Sequence, residues 1–225
     1  MRLAVPRLLK DKVENFIYLD ADTLCFDKIE EINNIDIHDV ICAVSHDSLN
    51  VHDNKHAKRL GLSTNHYFNA GFLYINIANW ILNDIENKAN TVLFEKGREL
   101  PYFDQDALNI AIDGNIKFID NRWNYLFNWF TDEQRESFFY HQETLPRIIH
   151  FTGGRKPWYK EHTGLSQQLY IFYHHFTPWR NTELRSYASR MRPTDYRVYS
   201  RQAAKRGDYF SALRWYSKYL KAKFL

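Results

Sequence analysis

Asn15-Phe16-Ile17-Tyr18-Leu19-Asp20-Ala21-Asp22-Thr23 is the stretch on which the reading of this chain turns. Its first part is a short β-prone run that stops at Asp20, the pattern of a buried strand. Two carboxylates then follow, one residue apart. In an open α/β sheet, ligands gather beyond the carboxyl ends of the strands. Asp20 and Asp22, on an extended or turning backbone, can both reach one hard cation, which takes oxygen ligands. Asp-x-Asp also arises by chance in loops and caps, so the preceding strand gives the pair its weight.

Working outward, Val40 to Val44 reads as a second buried strand and Gly71 to Ile77 as a third. Ile116 to Ile119 and Arg147 to Phe151 are further strands. Asp27 to Ile32 reads as one or two helical turns, and the polar segment Ser45 to His66 as loop with a short helix. Asn79 reads as the N-cap of a helix carrying Ile81, Ile85, Ala89, Val92 and Leu93 on one face, with Gly97 at its end. Asp104 to Asp113 is a second helix, closed by Gly114. Strands alternating with helices predict an α/β fold.

The length of 225 residues accommodates one large α/β domain and a small appendage. Cys25 and Cys42 make no framework spacing, which points to a reducing compartment. No apolar run reaches the roughly 18 residues needed to cross a bilayer, and no charged-then-apolar signal segment opens the chain. The expectation is a cytoplasmic site of action. The net charge of +3 hides an asymmetry: from Arg180 to Leu225 twelve Lys or Arg face three acids (Glu183, Asp195 and Asp208). That surplus of nine leaves residues 1 to 179 at −6, so an acidic body carries a basic tail, which suggests an anionic partner. In the tail, Asp208 caps a helix with Tyr209, Leu213, Tyr216 and Leu220 on one face and Arg214, Lys218 and Lys221 on the other.

Three further segments carry candidate chemistry. His150 ends the strand from Arg147 and enters Thr152-Gly153-Gly154-Arg155-Lys156-Pro157-Trp158. A neutral imidazole can complete a carboxylate metal site. Gly153 and Gly154 let backbone approach phosphate oxygens, and Lys156 adds positive charge. Taken alone, this is as well read as a basic Gly-Pro turn. Asp104-Gln105-Asp106 opens a helix, where one carboxylate serves as cap and dipole partner while the others can grip hydroxyl groups. Tyr67-Phe68-Asn69-Ala70-Gly71 offers an amide that both donates and accepts.

These four segments, in this order, resemble glycosyltransferase family 8, the retaining transferases of GT-A fold, over about residues 1 to 160. The resemblance implies a GT-A-like mixed sheet flanked by helices, of the nucleotide-diphospho-sugar transferase type. It implies Mn²⁺ or Mg²⁺ held by Asp20, Asp22 and His150. Asp20 and Asp22 also serve the donor, a UDP-hexose. Asn69 and Asp104 fall where the hexose is held, Gln105 beside the anomeric carbon, and Gly153 and Lys156 at the donor phosphates. Asp47 lies near an acceptor-side acid. Arg180 to Leu225 is similar to the C-terminal extension of enterobacterial lipopolysaccharide core hexosyltransferases.

The implied organisation is a catalytic domain over 1–160, a connector over 161–179 and a basic aromatic extension over 180–225. The family's first βαβ portion, which grips the nucleotide, precedes the segment matching Arg2-Leu3-Ala4-Val5-Pro6, so N-terminal truncation is expected. The implied activity is transfer of glucose or galactose from UDP-glucose or UDP-galactose to a lipopolysaccharide core acceptor. The implied location is the inner face of the inner membrane, with residues 205–225 on its anionic surface and no nucleic-acid partner. Two rival readings are a catalytically weak or inactive remnant that binds only sugar or membrane, and a protein-linked or storage-glucan transferase of the same fold, which the basic tail disfavours.

Overall fold

The run that opens the reading is a strand, β1 (Asn15–Leu19), and it ends at Asp20. The structure is a computed structural model that describes residues 2–47, 54–127, 145–162 and 164–224, with Ser137 and Tyr140. The chain divides into two compact units, residues 1–150 and 151–225. In the first, β1 is joined by β2 (Thr23–Cys25), β3 (Cys42–Val44), β4 (Phe72–Asn76), β5 (Ile116–Phe118), β6 (Tyr125–Leu126) and β7 (Ile148–His150). Its described helices are α1 (Val5–Leu9), α2 (Lys55–Leu60), α3 (Ile77–Leu82), α4 (Ile85–Lys96) and α5 (Phe103–Ile112). The second unit carries α6 (Leu165–His175), α7 (Pro193–Lys205) and α8 (Tyr209–Phe224).

Four strands form a mixed sheet in the order β1-β4-β3-β5, and three form a smaller sheet, β2-β7-β6. β4 runs antiparallel to both β1 and β3, whereas β3 and β5 are parallel. The carboxyl ends of β1, β3 and β5 therefore share one edge of the sheet. Because β4 is reversed, the residues preceding it, not those following it, reach that edge. Asn69-Ala70-Gly71 thus lies beside Asp20, whose N–H donates to the Gly71 carbonyl at 2.9 Å.

Alternation along the central strands splits the core into two layers. Cys42, Val44, Leu73 and Ile75 face Trp80, Ile85, Ala89, Leu108 and Ile112 of the helices. Ala43, Phe72 and Tyr74 face the opposite side, against Ile32, Ile37, Trp123 and Ile148. Burial on both faces explains why β3 and β4 read as continuous apolar runs.

One expectation needs correction. The helix predicted from Asn79 is two helices. Asn76 caps the first, its side chain accepting from the Asn79 N–H at 3.0 Å, and the chain breaks at Asp84, where φ is 52°. Asn83 closes the first helix by donating to the Asn79 carbonyl twice, from its backbone N–H at 3.0 Å and from its side-chain amide at 2.8 Å. In the tail, Asp208 does cap α8, accepting from the Ser211 N–H at 3.0 Å. The helix packs through a side that neither of its two marked faces supplies. Ala212 is buried, Trp215 packs on Tyr196 and Tyr199 of α7, and Arg197 lies over Tyr219. Tyr209, Leu213, Tyr216 and Leu220 remain exposed. The aromatic rings of α7 offer a flat seam that the indole and a small alanine fit better than leucine and tyrosine.

Trp80, only 1% exposed, fills the layer between sheet and helices. Trp80→Ala is expected to destabilise the first unit by about 3–5 kcal/mol. A urea titration that left the unfolding midpoint in place would contradict this account of the core.

Candidate active site

The β2–β7 register pairs Thr23 with His150, and this brings Asp22 alongside the imidazole. His150 Nε2 lies 3.2 Å from Asp22 Oδ1 and 4.0 Å from Asp20 Oδ2. Ligand atoms of Asp20, Asp22 and His150 all lie within 4.8 Å of one another. Two carboxylates and one imidazole suit a divalent cation that accepts oxygen and nitrogen donors.

The surroundings orient each ligand. Arg2 Nη2 and the Tyr18 hydroxyl both donate to Asp20 Oδ1, at 2.9 and 3.0 Å, while Oδ2 faces His150. Burial above all holds the Tyr18 phenol protonated, its pKa pushed up to about 12, while the Arg2 charge works the other way. Asn124 Nδ2 donates to Asn69 Oδ1 at 2.9 Å, which leaves Asn124 Oδ1 to face His150 Nδ1, also at 2.9 Å. Nδ1 of His150 therefore donates to Asn124, which turns Nε2 toward the two aspartates, where it is placed to serve a cation. Gly71 makes room for this ring. A Cβ there would stand 2.1 Å from His150 Cε1, inside any permitted contact.

The same amide chain runs on to the other predicted residues. Asn69 Oδ1 also accepts from the Gly71 N–H at 3.0 Å, and Asn69 Nδ2 donates to Asp47 Oδ2 at 3.0 Å. Gln105 Nε2 donates to that same oxygen at 3.2 Å, and the Ala70 N–H donates to Gln105 Oε1 at 3.0 Å. Asp47 and Asn69 are both buried. Asp104 joins through Arg2, whose Nε lies 2.8 Å from Asp104 Oδ2. Arg2 thereby ties Asp104 to Asp20, and its Nη1 donates to the Ala70 carbonyl at 2.6 Å.

The carboxylate that holds the start of α5 is Asp106, which accepts from the Tyr102 N–H at 2.9 Å. Asp104 sits in the first turn without a capping bond of its own. Just before it, Phe103 adopts φ 41°, a left-handed conformation that is costly for a residue with a side chain.

Two site residues escaped the sequence reading. Arg2 stands 18 positions before Asp20, and no spacing rule links them. Asn124 lies in a short 3-10 turn, Asn121–Asn124, that carries no helical or strand periodicity. Gly153 and Lys156 belong to the second unit. Gly153 has φ 81° with nothing within 4 Å of a would-be Cβ. Lys156 Nζ donates to the Phe151 carbonyl at 2.8 Å, and the adjacent Arg155 pairs with Asp195 at 3.3 Å.

A mixed sheet whose one edge gathers an Asp-x-Asp pair, a histidine and a polar network is the architecture of a GT-A-like glycosyltransferase. The chain belongs to glycosyl transferase family 8, whose model matches residues 1–162. A Haemophilus influenzae protein provisionally named a glycosyltransferase is 33% identical over 71% of this chain and 48% of its own length. The lipopolysaccharide 1,2-glucosyltransferase of Escherichia coli K12 is 25% identical, over 80% of this chain and 54% of that one. Lipopolysaccharide 1,3-galactosyltransferase of Salmonella typhimurium is 26% identical, over 100% and 67%. The chain thus spans about half the length of the first curated relatives it matches. Among solved structures, galactosyltransferase LgtC, crystallised with donor and acceptor sugar analogs, superposes with a TM-score of 0.62 at 21% identity, covering 76% of this chain and 64% of that one. GlyE of Streptococcus pneumoniae gives 0.61 at 19% identity, covering 79% and 42%. Both likenesses are of fold.

Asn124→Leu keeps a side chain of similar bulk but removes the acceptor for the His150 Nδ1 proton. Mn²⁺ affinity, followed by loss of the free-ion electron paramagnetic resonance signal, is expected to fall about 10–100-fold. Unaltered affinity would exclude the orienting role.

Proposed function

We propose that this chain is the catalytic part of a retaining hexosyltransferase that moves glucose or galactose from a UDP-sugar to a lipopolysaccharide core oligosaccharide. The observation that carries the reading is the meeting of Asp20, Asp22 and His150 at one point, next to the network of Asn69, Asp47 and Gln105. Mn²⁺ or Mg²⁺ bound there would act as a Lewis acid toward the donor diphosphate.

The chain's own residues supply the rest. Asp104 and Asn69 grip the hexose hydroxyls, with Arg2 holding Asp104 in place. Gln105 turns its carbonyl oxygen toward the anomeric carbon, where positive charge grows as the bond to the diphosphate breaks. Asp106 is fully buried and committed to Tyr67, His56 and the Tyr102 N–H, so it is not placed as a covalent nucleophile. The acceptor oxygen then bonds on the face the leaving group departs, and its proton passes to the diphosphate. Asp47 sits on the acceptor side. Gly153 and Lys156 keep the donor-phosphate role that the family resemblance implies for them, with an open backbone in the first and a positive charge in the second.

In this reading residues 1–160 form the catalytic domain, 161–179 a connector, and 180–225 an extension that meets the membrane. On α8, Tyr209, Leu213, Tyr216 and Leu220 are exposed beside Arg214, Lys218 and Lys221, a combination suited to an anionic interface on the inner leaflet. Among the described residues no helix is long and apolar enough to cross a membrane. The relatives named for lipopolysaccharide glucosyl and galactosyl transfer support the choice of acceptor.

Hydrolysis of UDP-glucose and UDP-galactose in Mn²⁺ tests the reading, with Asp20→Ala and Asp22→Ala beside the parent. Both variants are expected to lose at least about 10²-fold in turnover. Equal turnover in all three would remove the metal role, and a silent calorimetric titration of the parent with both donors would leave a remnant that binds only sugar or membrane.

A further inference from the structure

Gln105 is the end of a buried chain that the reaction itself does not require. Tyr67 hydroxyl lies 2.5 Å from Asp106 Oδ1, and Gln105 Nε2 lies 2.9 Å from the Tyr67 oxygen. His56 Nε2 meets the same Asp106 oxygen at 2.8 Å, while Asp106 Oδ2 takes the Tyr102 N–H. Asp106 and Tyr67 are both 0% exposed.

The directions of these bonds follow from counting protons. The Tyr67 hydroxyl donates to Asp106, whose other oxygen already accepts the Tyr102 N–H. Burial, followed by the bond to Asp106, drives the Tyr67 pKa far above that of an ordinary phenol, so the proton stays on the oxygen. Its single proton spent, Tyr67 can only accept from Gln105. The group facing it must then be the carboxamide nitrogen. The second Nε2 proton goes to Asp47, and Oε1 is left toward the Ala70 N–H with one lone pair unassigned. Rotating the carboxamide by half a turn would set its oxygen against Asp47 Oδ2 and against a phenol with no proton to give. Both contacts would be repulsive.

We propose that Asp106 and Tyr67 are positioning residues, with His56 steadying Asp106, and that their task is to lock the Gln105 carboxamide with its oxygen facing the reacting centre. This rests on the reading of Gln105 as the residue beside the anomeric carbon. It gives each carboxylate of Asp104-Gln105-Asp106 a separate place: Asp104 at the sugar, Asp106 behind the glutamine.

A double-mutant cycle separates this role from simple core packing. Tyr67→Phe removes one oxygen and keeps the ring. In the parent background it is expected to lower donor-hydrolysis kcat about 10²-fold with KM little changed. In a Gln105→Ala background it should cost no further activity, because the group it orients is gone. Losses that simply multiply would overturn the proposal.

A second measurement needs no turnover. The Gln105 side-chain amide protons, resolved in a ¹⁵N spectrum of the parent, should exchange with water at least about ten-fold more slowly than in Tyr67→Phe. Equal exchange would overturn the lock. Full activity in Gln105→Ala would instead remove Gln105 from the chemistry while the exchange result still decides its orientation.

Discussion

The contact of the His150 ring with the bare Cα of Gly71 is the constraint from which the rest of the site descends. β7 delivers the histidine from the smaller sheet, and β4 delivers the glycine from the larger one. The two meet only because position 71 carries no side chain, since an added methyl group would lie 2.1 Å from the ring. That close approach sets the imidazole within 3.2 Å of Asp22, whose own position follows from the pairing of Thr23 with His150. The convergence of distant segments thus depends less on the acids than on one missing Cβ between two sheets.

From that point a polar chain extends through Asn124, Asn69 and Asp47 to Gln105, and every link in it has a defined direction. Amides serve well here because each can donate at one end and accept at the other. Asn124 accepts from one histidine and donates to Asn69, which in turn donates to Asp47. Asp47 then accepts from both Asn69 and Gln105. Buried polar groups are costly unless satisfied, and a chain that satisfies them in one orientation excludes the others. The orientation of the His150 ring and the facing of Gln105 are in this sense parts of one arrangement.

What could be read beforehand follows the range of the physics involved. β1, β4, α5 and β5 announce themselves through local periodicity and turn residues. Asp20 and Asp22 could be singled out because a strand runs directly into them. Two short strands, β2 and β6, could not be read, since Thr23–Cys25 and Tyr125–Leu126 are defined by pairing with β7 and by nothing in their own patterns. Asn124 and Arg2 were illegible for the same reason. Their roles arise from partners 26 and 18 residues away, and an isolated asparagine or arginine carries no such address. The resemblance to family 8 supplied what spacing alone could not, namely that His150 belongs with Asp20 and Asp22.

The tail marks a different case, where a periodicity is plain but does not tell which face packs. Tyr209, Leu213, Tyr216 and Leu220 satisfy helical spacing as well as Ala212, Trp215 and Tyr219 do, and hydropathy alone favours the first set. The choice belongs to α7. Its Tyr196 stacks on the indole, Tyr199 meets it tilted, and the Ser200 hydroxyl reaches the Ala212 carbonyl at 2.8 Å, so the partner dictates which face of α8 is covered. The stripe left outside keeps four large side chains in water beside a row of cations. That grouping of exposed rings and cations is the feature on which the proposed anionic interface rests.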